Sequence, residues 1–371
     1  MKKCFVFTLL GVFIQLHLFA TLAEGVCNSA CLENPDKIIF SPKYENPCSL
    51  WRLSLSGDLL WWTAREEGLN YAQSNRALEN ATQGVSRGES FYPKGDWNIG
   101  FKAAAGVTFS EDQWELKSTY THASFSSTSS AVTSSNPNET LVTQWNVGSP
   151  TVQNPPLVFL PINSAIDSAD AKWDLAYNTL NLLLCKNYYI SKKIDFDLEF
   201  GLMGSKQDQD YHLNYYLDFT VPGPVQINSD RFMKQHVNIW GIGPLLGIRT
   251  SWEIYKYFHL CTHFATSAQA SRFNLNREDR AVLTSSPDVL SYDLISTRWK
   301  GTLDTIKGFL QSEIGVCFDY PFSKSATHFL LKLSFESQLW IGQSPFNRRL
   351  DESAHGDLSL YGLTIKGKLI F

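Results

Sequence analysis

Apolar and polar side chains alternate with a period of two along most of the chain after Leu50. Near the end, Tyr361, Leu363, Ile365, Leu369 and Phe371 share one parity. Gly362, Thr364, Lys366 and Lys368 share the other. Successive side chains of a β-strand point to opposite faces, so this pattern predicts a strand with one apolar and one wet side. Trp51, Leu53, Leu55, Leu59 and Trp61 oppose Arg52, Ser54, Ser56 and Asp58 in the same way. Ile194, Phe196, Leu198, Phe200 and Leu202 oppose Asp195, Asp197 and Glu199. Phe329, Leu331, Leu333, Phe335, Leu339 and Ile341 oppose Lys332, Ser334, Glu336 and Gln338. Each apolar face reaches the ~9–11 residues that a bilayer-spanning strand requires.

The pattern predicts ten strands, at about 50–63, 97–110, 112–125, 172–190, 193–206, 235–253, 256–273, 304–320, 326–343 and 358–371. Short turns are expected near Ser110–Asp112, Ser191–Lys192, Ile254–Tyr255 and Pro321–Ser325. Long loops are expected at 64–96, 126–171, 207–234, 274–303 and 344–357. Short turns at one end and long loops at the other are the layout of a transmembrane antiparallel β-barrel, and the even strand count puts both chain ends on the turn side. A further hairpin at Leu141–Trp145 and Leu157–Ile162 would make twelve strands.

Composition narrows the class. The 371 residues are 43% hydrophobic, 13% aromatic and only 18% charged, with a mean hydropathy of −0.18. That is too polar for a helical membrane protein, and it is the average expected of staves with one lipid-facing and one water-facing side. No run after the N-terminus supplies the ~20 apolar residues of a membrane helix. A membrane-embedded chain must then close into a barrel, because lipid satisfies no open sheet edge. The formal net charge of −4 makes no electrostatic case for nucleic acid.

Residues 1–23 read as a signal peptide. Lys2 and Lys3 precede an almost uncharged apolar stretch, and Thr21-Leu22-Ala23 places cleavage before Glu24. Residues 24–49, with Cys27, Cys31 and Cys48 and three prolines, read as a periplasmic segment preceding a barrel over 50–371. Export would put the cysteines in an oxidising compartment. Cys261 and Cys317 fall on the wet face of neighbouring strands at similar height, with Cys185 level with them. A Cys261–Cys317 disulfide and three free thiols are both open from the sequence.

The wet faces carry mixed charge. Arg52, Lys102, Lys117, Arg249, Lys332, Lys366 and Lys368 stand with Asp58, Glu115, Asp195, Asp197, Glu199, Glu313, Asp319 and Glu336 as candidates for the pore lining. Rings of charge set solute preference in a pore, and the same residues can instead pair across strands and solvate the wall. Trp51, Trp61, Trp62, Trp97, Trp114, Trp173, Trp240, Trp252 and Trp340 lie near strand ends, as interfacial girdles do. No nucleophile elbow or zinc-protease motif occurs, so no catalytic residue, metal or cofactor is expected.

The stretch Gly57-Asp58-Leu59-Leu60-Trp61-Trp62-Thr63-Ala64-Arg65-Glu66-Glu67-Gly68-Leu69-Asn70-Tyr71-Ala72 resembles the major outer-membrane-protein family of Legionella, a family also plentiful in chlamydia-like bacteria. The likeness continues at Trp97-Asn98-Ile99-Gly100-Phe101-Lys102, Asp112-Gln113-Trp114 and Tyr120-Thr121. It recurs at Lys172-Trp173, Tyr177-Asn178-Thr179-Leu180, Ser191-Lys192-Lys193, Trp240-Gly241-Ile242-Gly243-Pro244 and Asp357 to Thr364. Asp197 departs from it, standing where a basic residue is expected. The resemblance implies an abundant porin-like protein of the Gram-negative outer membrane, passing ions and small hydrophilic solutes. A surface adhesin or disulfide-linked envelope protein is the alternative. Expected partners are outer-membrane lipid, the barrel assembly machinery reading Phe371 as its signal, a homo-oligomer and a host surface ligand of unknown identity.

Overall fold

The computed structural model describes residues 41–42, 51–76, 88–109, 114–133, 139–147, 165–191, 193–220, 226–286, 290–321, 328–344, 346 and 356–370. Residues 1–23, expected to be a signal peptide, almost all of the segment 24–49, and Phe371 lie outside them.

Ten antiparallel strands form a closed ring. They are β2 (Trp51–Glu66), β5 (Asn98–Phe109), β6 (Trp114–Val132), β9 (Ser168–Ser191), β10 (Ile194–Thr220), β11 (Gln226–Tyr255), β12 (Phe258–Ser286), β13 (Leu290–Pro321), β14 (His328–Ile341) and β15 (Leu358–Ile370). Each pairs with its sequence neighbours among the ten, and β15 closes on β2, with Gly362 opposite Trp62 and Lys366 opposite Asp58. Closure removes both sheet edges, whose unpaired backbone groups would each cost several kcal/mol in lipid. Five short elements complete the described sheet structure. β1 (Ser41–Pro42) pairs with β9 at Tyr189 and Tyr188. β3 (Ala72–Arg76), β4 (Ser90–Phe91), β7 (Glu139–Thr143) and β8 (Ala165–Ile166) form a separate sheet in the order β4-β3-β7-β8. The Leu141–Trp145 segment therefore belongs to this accessory sheet and adds no stave. Leu157–Ile162 lies outside the described residues.

A belt of exposed apolar side chains circles the ring. Leu59 and Trp61 of β2, Ile99 and Phe101 of β5, Leu180 and Leu182 of β9, Trp240 and Ile242 of β11, and Leu363 and Ile365 of β15 belong to it. Exposed apolar surface this extensive is unstable in water and fits a lipid-facing wall.

Two of the expected loops are strands. Residues 207–220 and 226–234 continue β10 and β11, and residues 274–286 and 290–303 continue β12 and β13. Residues 126–132 likewise continue β6, and β9 begins at Ser168. The physical reason is an inversion of parity. Within the belt β10 turns Phe200 and Leu202 outward. Beyond it Tyr211, Leu213 and Tyr215 are fully buried, while Asp208 and Asp210 take the outer, partly exposed positions. Above the lipid the outside is water and the inside is packed, so the apolar face changes sides without a break in the strand. Trp62, Trp173 and Trp340, expected in the girdle, follow the same rule and are buried inside, whereas Trp61, Trp97, Trp240 and Trp252 stay exposed on the outer face.

Candidate functional site

The lumen has two levels. On the turn side is a polar chamber of about 360 Å³, lined from all ten staves and reaching Asp319, Leu330 and Ile370 near the turn end. Its wall includes the cations Lys102, Lys117, Arg249, Lys332, Lys366 and Lys368. The carboxylates Asp58, Asp195, Asp197, Glu199, Glu313 and Asp319 also line it. The expected candidates Glu115 and Glu336 reach the wall through ion pairs with its cations. Arg52, on the same parity of β2 as Ser54 and Asp58, is half-buried and does not line the chamber.

Strand register brings these groups level. His263, Glu313 and Glu336 are consecutive cross-strand neighbours on β12, β13 and β14. Lys332, Lys366, Asp58 and Lys102 form a second row across β14, β15, β2 and β5. Opposed like charges are unfavourable, and diagonal pairing relieves them. Lys102 meets Glu336 at 2.5 Å and Lys332 meets Glu313 at 2.7 Å, while Lys366 meets Asp58, directly opposite it, at 3.4 Å. Arg249 meets Glu199 at 2.5 Å and Lys368 meets Glu115 at 3.7 Å. His263 bridges Glu199 at 3.1 Å and Glu313 at 3.8 Å.

Cys261 and Cys317 are disulfide-bonded across β12 and β13, with Cα atoms 6.3 Å apart. Cys185 is a free, buried thiol whose Sγ lies 3.8 Å from Glu199 Oε1. Among the described residues no group of three or more His, Cys, Asp or Glu side chains is arranged to hold a metal ion.

Above the chamber the lumen is filled, which the sequence pattern did not reveal. Trp62, Tyr177, Phe309 and Trp340 are all fully buried there. Phe309 and Trp340 have ring centroids 4.7 Å apart, and the Tyr177 hydroxyl donates to Gln338 Oε1 at 2.6 Å. Next comes a layer of buried amides. Gln343 Nε2 donates to Gln207 Oε1 at 2.5 Å, and Trp173 Nε1 donates to Gln209 Oε1 at 3.1 Å. The parity of Trp61 and Trp62 was the available signal, since adjacent residues of a strand cannot both face lipid.

A lid seated on the accessory sheet closes the outer end. Trp145 Nε1 donates to the Asn70 carbonyl at 2.7 Å, and Trp145, Tyr71 and Phe346 are fully buried. Tyr211 and Tyr215 of β10 donate to the carbonyls of Leu69 and Tyr71, and Arg277 of β12 donates to that of Asn146. Arg277 is held by Asp279 at 2.9 Å, both buried.

Glu66 ends β2 beneath this lid, beyond the lipid belt that finishes at Trp61. Among the described residues no well-formed hydrogen bond reaches either of its oxygens, although Ser344 and Gln209 stand beside it. Burial raises its pKa from 4.5 to about 8, outweighing the nearby Lys307.

Residues 45–371 match the family described as Legionella pneumophila major outer membrane protein precursor. Among solved structures, the outer membrane protease OmpT from Escherichia coli is similar at 10% identity and a TM-score of 0.39, covering 91% of this chain and 99% of that one. The deletion mutant of the monoaromatic hydrocarbon channel TodX is similar at 7% identity and a TM-score of 0.24, covering 86% and 90%. A Pseudomonas aeruginosa FadL homologue is similar at 5% identity, with the same score and coverage. No curated protein matches the chain.

Proposed function

The chain belongs to the Legionella major outer membrane protein family, and from that premise we propose that its barrel passes ions and small hydrophilic solutes through a lumen gated by the lid. The outer membrane of a Gram-negative bacterium is its location. The observation that carries the reading is the chamber of mixed charge to which all ten staves contribute. A wall of interspersed cations and carboxylates stays hydrated. Solutes crossing it must then pass the aromatic and amide layers, so conduction requires the lid and the side chains beneath it to give way. The refolded mature chain in a planar bilayer is expected to show rare, small conductance steps. Silence under every condition, including after the lid is loosened by mutation, would overturn the channel reading.

A second reading is a structural or adhesive surface protein. It is favoured by the complete burial of Trp62, Tyr177 and Trp340 across the lumen, which is how a barrel that transports nothing would fill itself. Silence in the bilayer, combined with loss of envelope integrity or of host-cell attachment on deletion of the chain, would select it.

A further inference from the structure

We propose that the lumen wall holds a binding site for the oxyanion head of a small solute. Four cations from three staves, Lys117 of β6, Arg249 of β11, and Lys366 and Lys368 of β15, surround a niche of about 30 Å³. Ser54 and Ser56 of β2 also line it. No carboxylate does. The same four cations line the larger chamber, so the niche is a recess of that chamber.

Three of the four cations have a carboxylate within ion-pair distance, and Lys117 does not. Arg249 is matched by Glu199, Lys366 by Asp58 and Lys368 by Glu115. Lys117 is only 8% exposed and makes no ion pair or hydrogen bond among the described residues. A shielded, unmatched ammonium is costly unless a counter-charge joins it. The carboxylates nearest in effect, Glu199 and Glu115, are already held by Arg249 and Lys368, so a counter-charge seated in the niche itself comes from an external anion.

The donor set specifies its chemistry. A guanidinium presents a planar fork suited to two oxygens of one oxyanion, and ammonium groups supply further charge-assisted donors. The Ser56 hydroxyl can add a donor, whereas that of Ser54 is given to Glu115 Oε1 at 3.0 Å. A space of about 30 Å³ accommodates roughly two waters or one compact anionic head. The adjoining chamber of about 360 Å³ leaves room for an organic remainder. Inorganic phosphate, a phosphate monoester and a carboxylate share this head chemistry.

Binding in the wall does not require conduction, so the test is separate from that of the channel. Heat-modifiable, refolded protein is titrated calorimetrically at low salt with inorganic phosphate, glycerol 3-phosphate, succinate and, as the uncharged control, glycerol. At least one oxyanion is expected to bind saturably and glycerol not to bind. Tighter binding of glycerol 3-phosphate than of phosphate would extend the site into the chamber, and equal binding would confine it to the niche; both support it. Lys117→Met and Lys117→Gln are expected to weaken binding by roughly tenfold or more. Lys172→Gln, on the outer face, should leave it unchanged. The proposal is overturned if no oxyanion binds the folded barrel, or if either folded Lys117 variant binds like the parent.

Discussion

The hydroxyl of Tyr211 donates to the backbone carbonyl of Leu69 at 3.1 Å, so a stave of the wall grips the main chain of the lid. Tyr215, four residues further along β10, repeats the contact at the carbonyl of Tyr71. Removing a hydroxyl leaves a buried carbonyl without its donor, at a cost of about 1–3 kcal/mol. Tyr211→Phe combined with Tyr215→Phe should therefore loosen the lid while keeping every stave intact. Bilayer recordings should show a several-fold rise in open events, with heat modifiability unchanged. A fall in the barrel's melting temperature without any gain in conductance would show that the tyrosines brace the wall and do not hold a gate.

The pair Lys102–Glu336 tests whether the charged wall is a coupled network. Glu336 also accepts from Gln311 at 2.7 Å and from Gln338 at 2.8 Å, and it is almost completely buried. Lys102→Met leaves this carboxylate without its cation, which typically costs ~3–5 kcal/mol for a buried pair. Adding Glu336→Gln removes the orphaned charge and should recover most of the loss. Thermal unfolding in detergent measures both. Equal destabilisation by the single and double variants would show that the pair acts independently of its charge.

The staves were legible because lipid imposes a strict rule: Leu363 and Ile365 face it, so Thr364 and Lys366 cannot. Where lipid ends the rule inverts. Tyr211, Leu213 and Tyr215 are as periodic as Phe200 and Leu202, but on the opposite parity, and a search for one continuous apolar face stops between them. The charged wall was legible for the same reason as the staves, since Lys102, Asp58 and Glu313 share the parity opposite the belt. The plug was not. It is assembled from Trp145, Phe346 and Tyr71, which lie between staves, and no period in the sequence relates them. Trp340 was read as interfacial because its type suits both places, and only its parity with Glu336 and Gln338 separates them.

The bond between Cys261 and Cys317 closes a segment of sequence separation 56. In the chain-entropy account such a loop contributes about 4 kcal/mol by restricting the unfolded state. Protein isolated from the envelope with its thiols blocked, then fully heat-denatured, should migrate faster on a gel without reductant than with it. Cys317→Ser should abolish the difference and lower the melting temperature. Cys185, buried and unpaired, should react with maleimide only after unfolding. Identical migration with and without reductant would mean that the two cysteines remain thiols in the cell.

Glu66 gives the lid a dependence on pH whose sign is fixed by burial. Its carboxyl titrates at 4.5 when solvated and at about 8 in the folded protein. Between those values the folded state holds a proton that the unfolded chain has released, so stability falls as pH rises through this window. Above about pH 8 the folded carboxyl is also ionised and the loss levels off. The charge then appears beneath Ser344, beside Gln209 and near Asp357, where the lid meets the wall. Open events and proteolytic cleavage of the lid should both increase from pH 6 to pH 9, with a midpoint near 8. Glu66→Gln carries no titrating proton and should stay closed and protease-resistant across the range. Lys307 opposes the rise in pKa, so Lys307→Met should move the midpoint upward. A wild-type lid that opens equally at pH 6 and pH 9, or a Glu66→Gln variant that keeps the same pH profile, would remove Glu66 from the control of the gate.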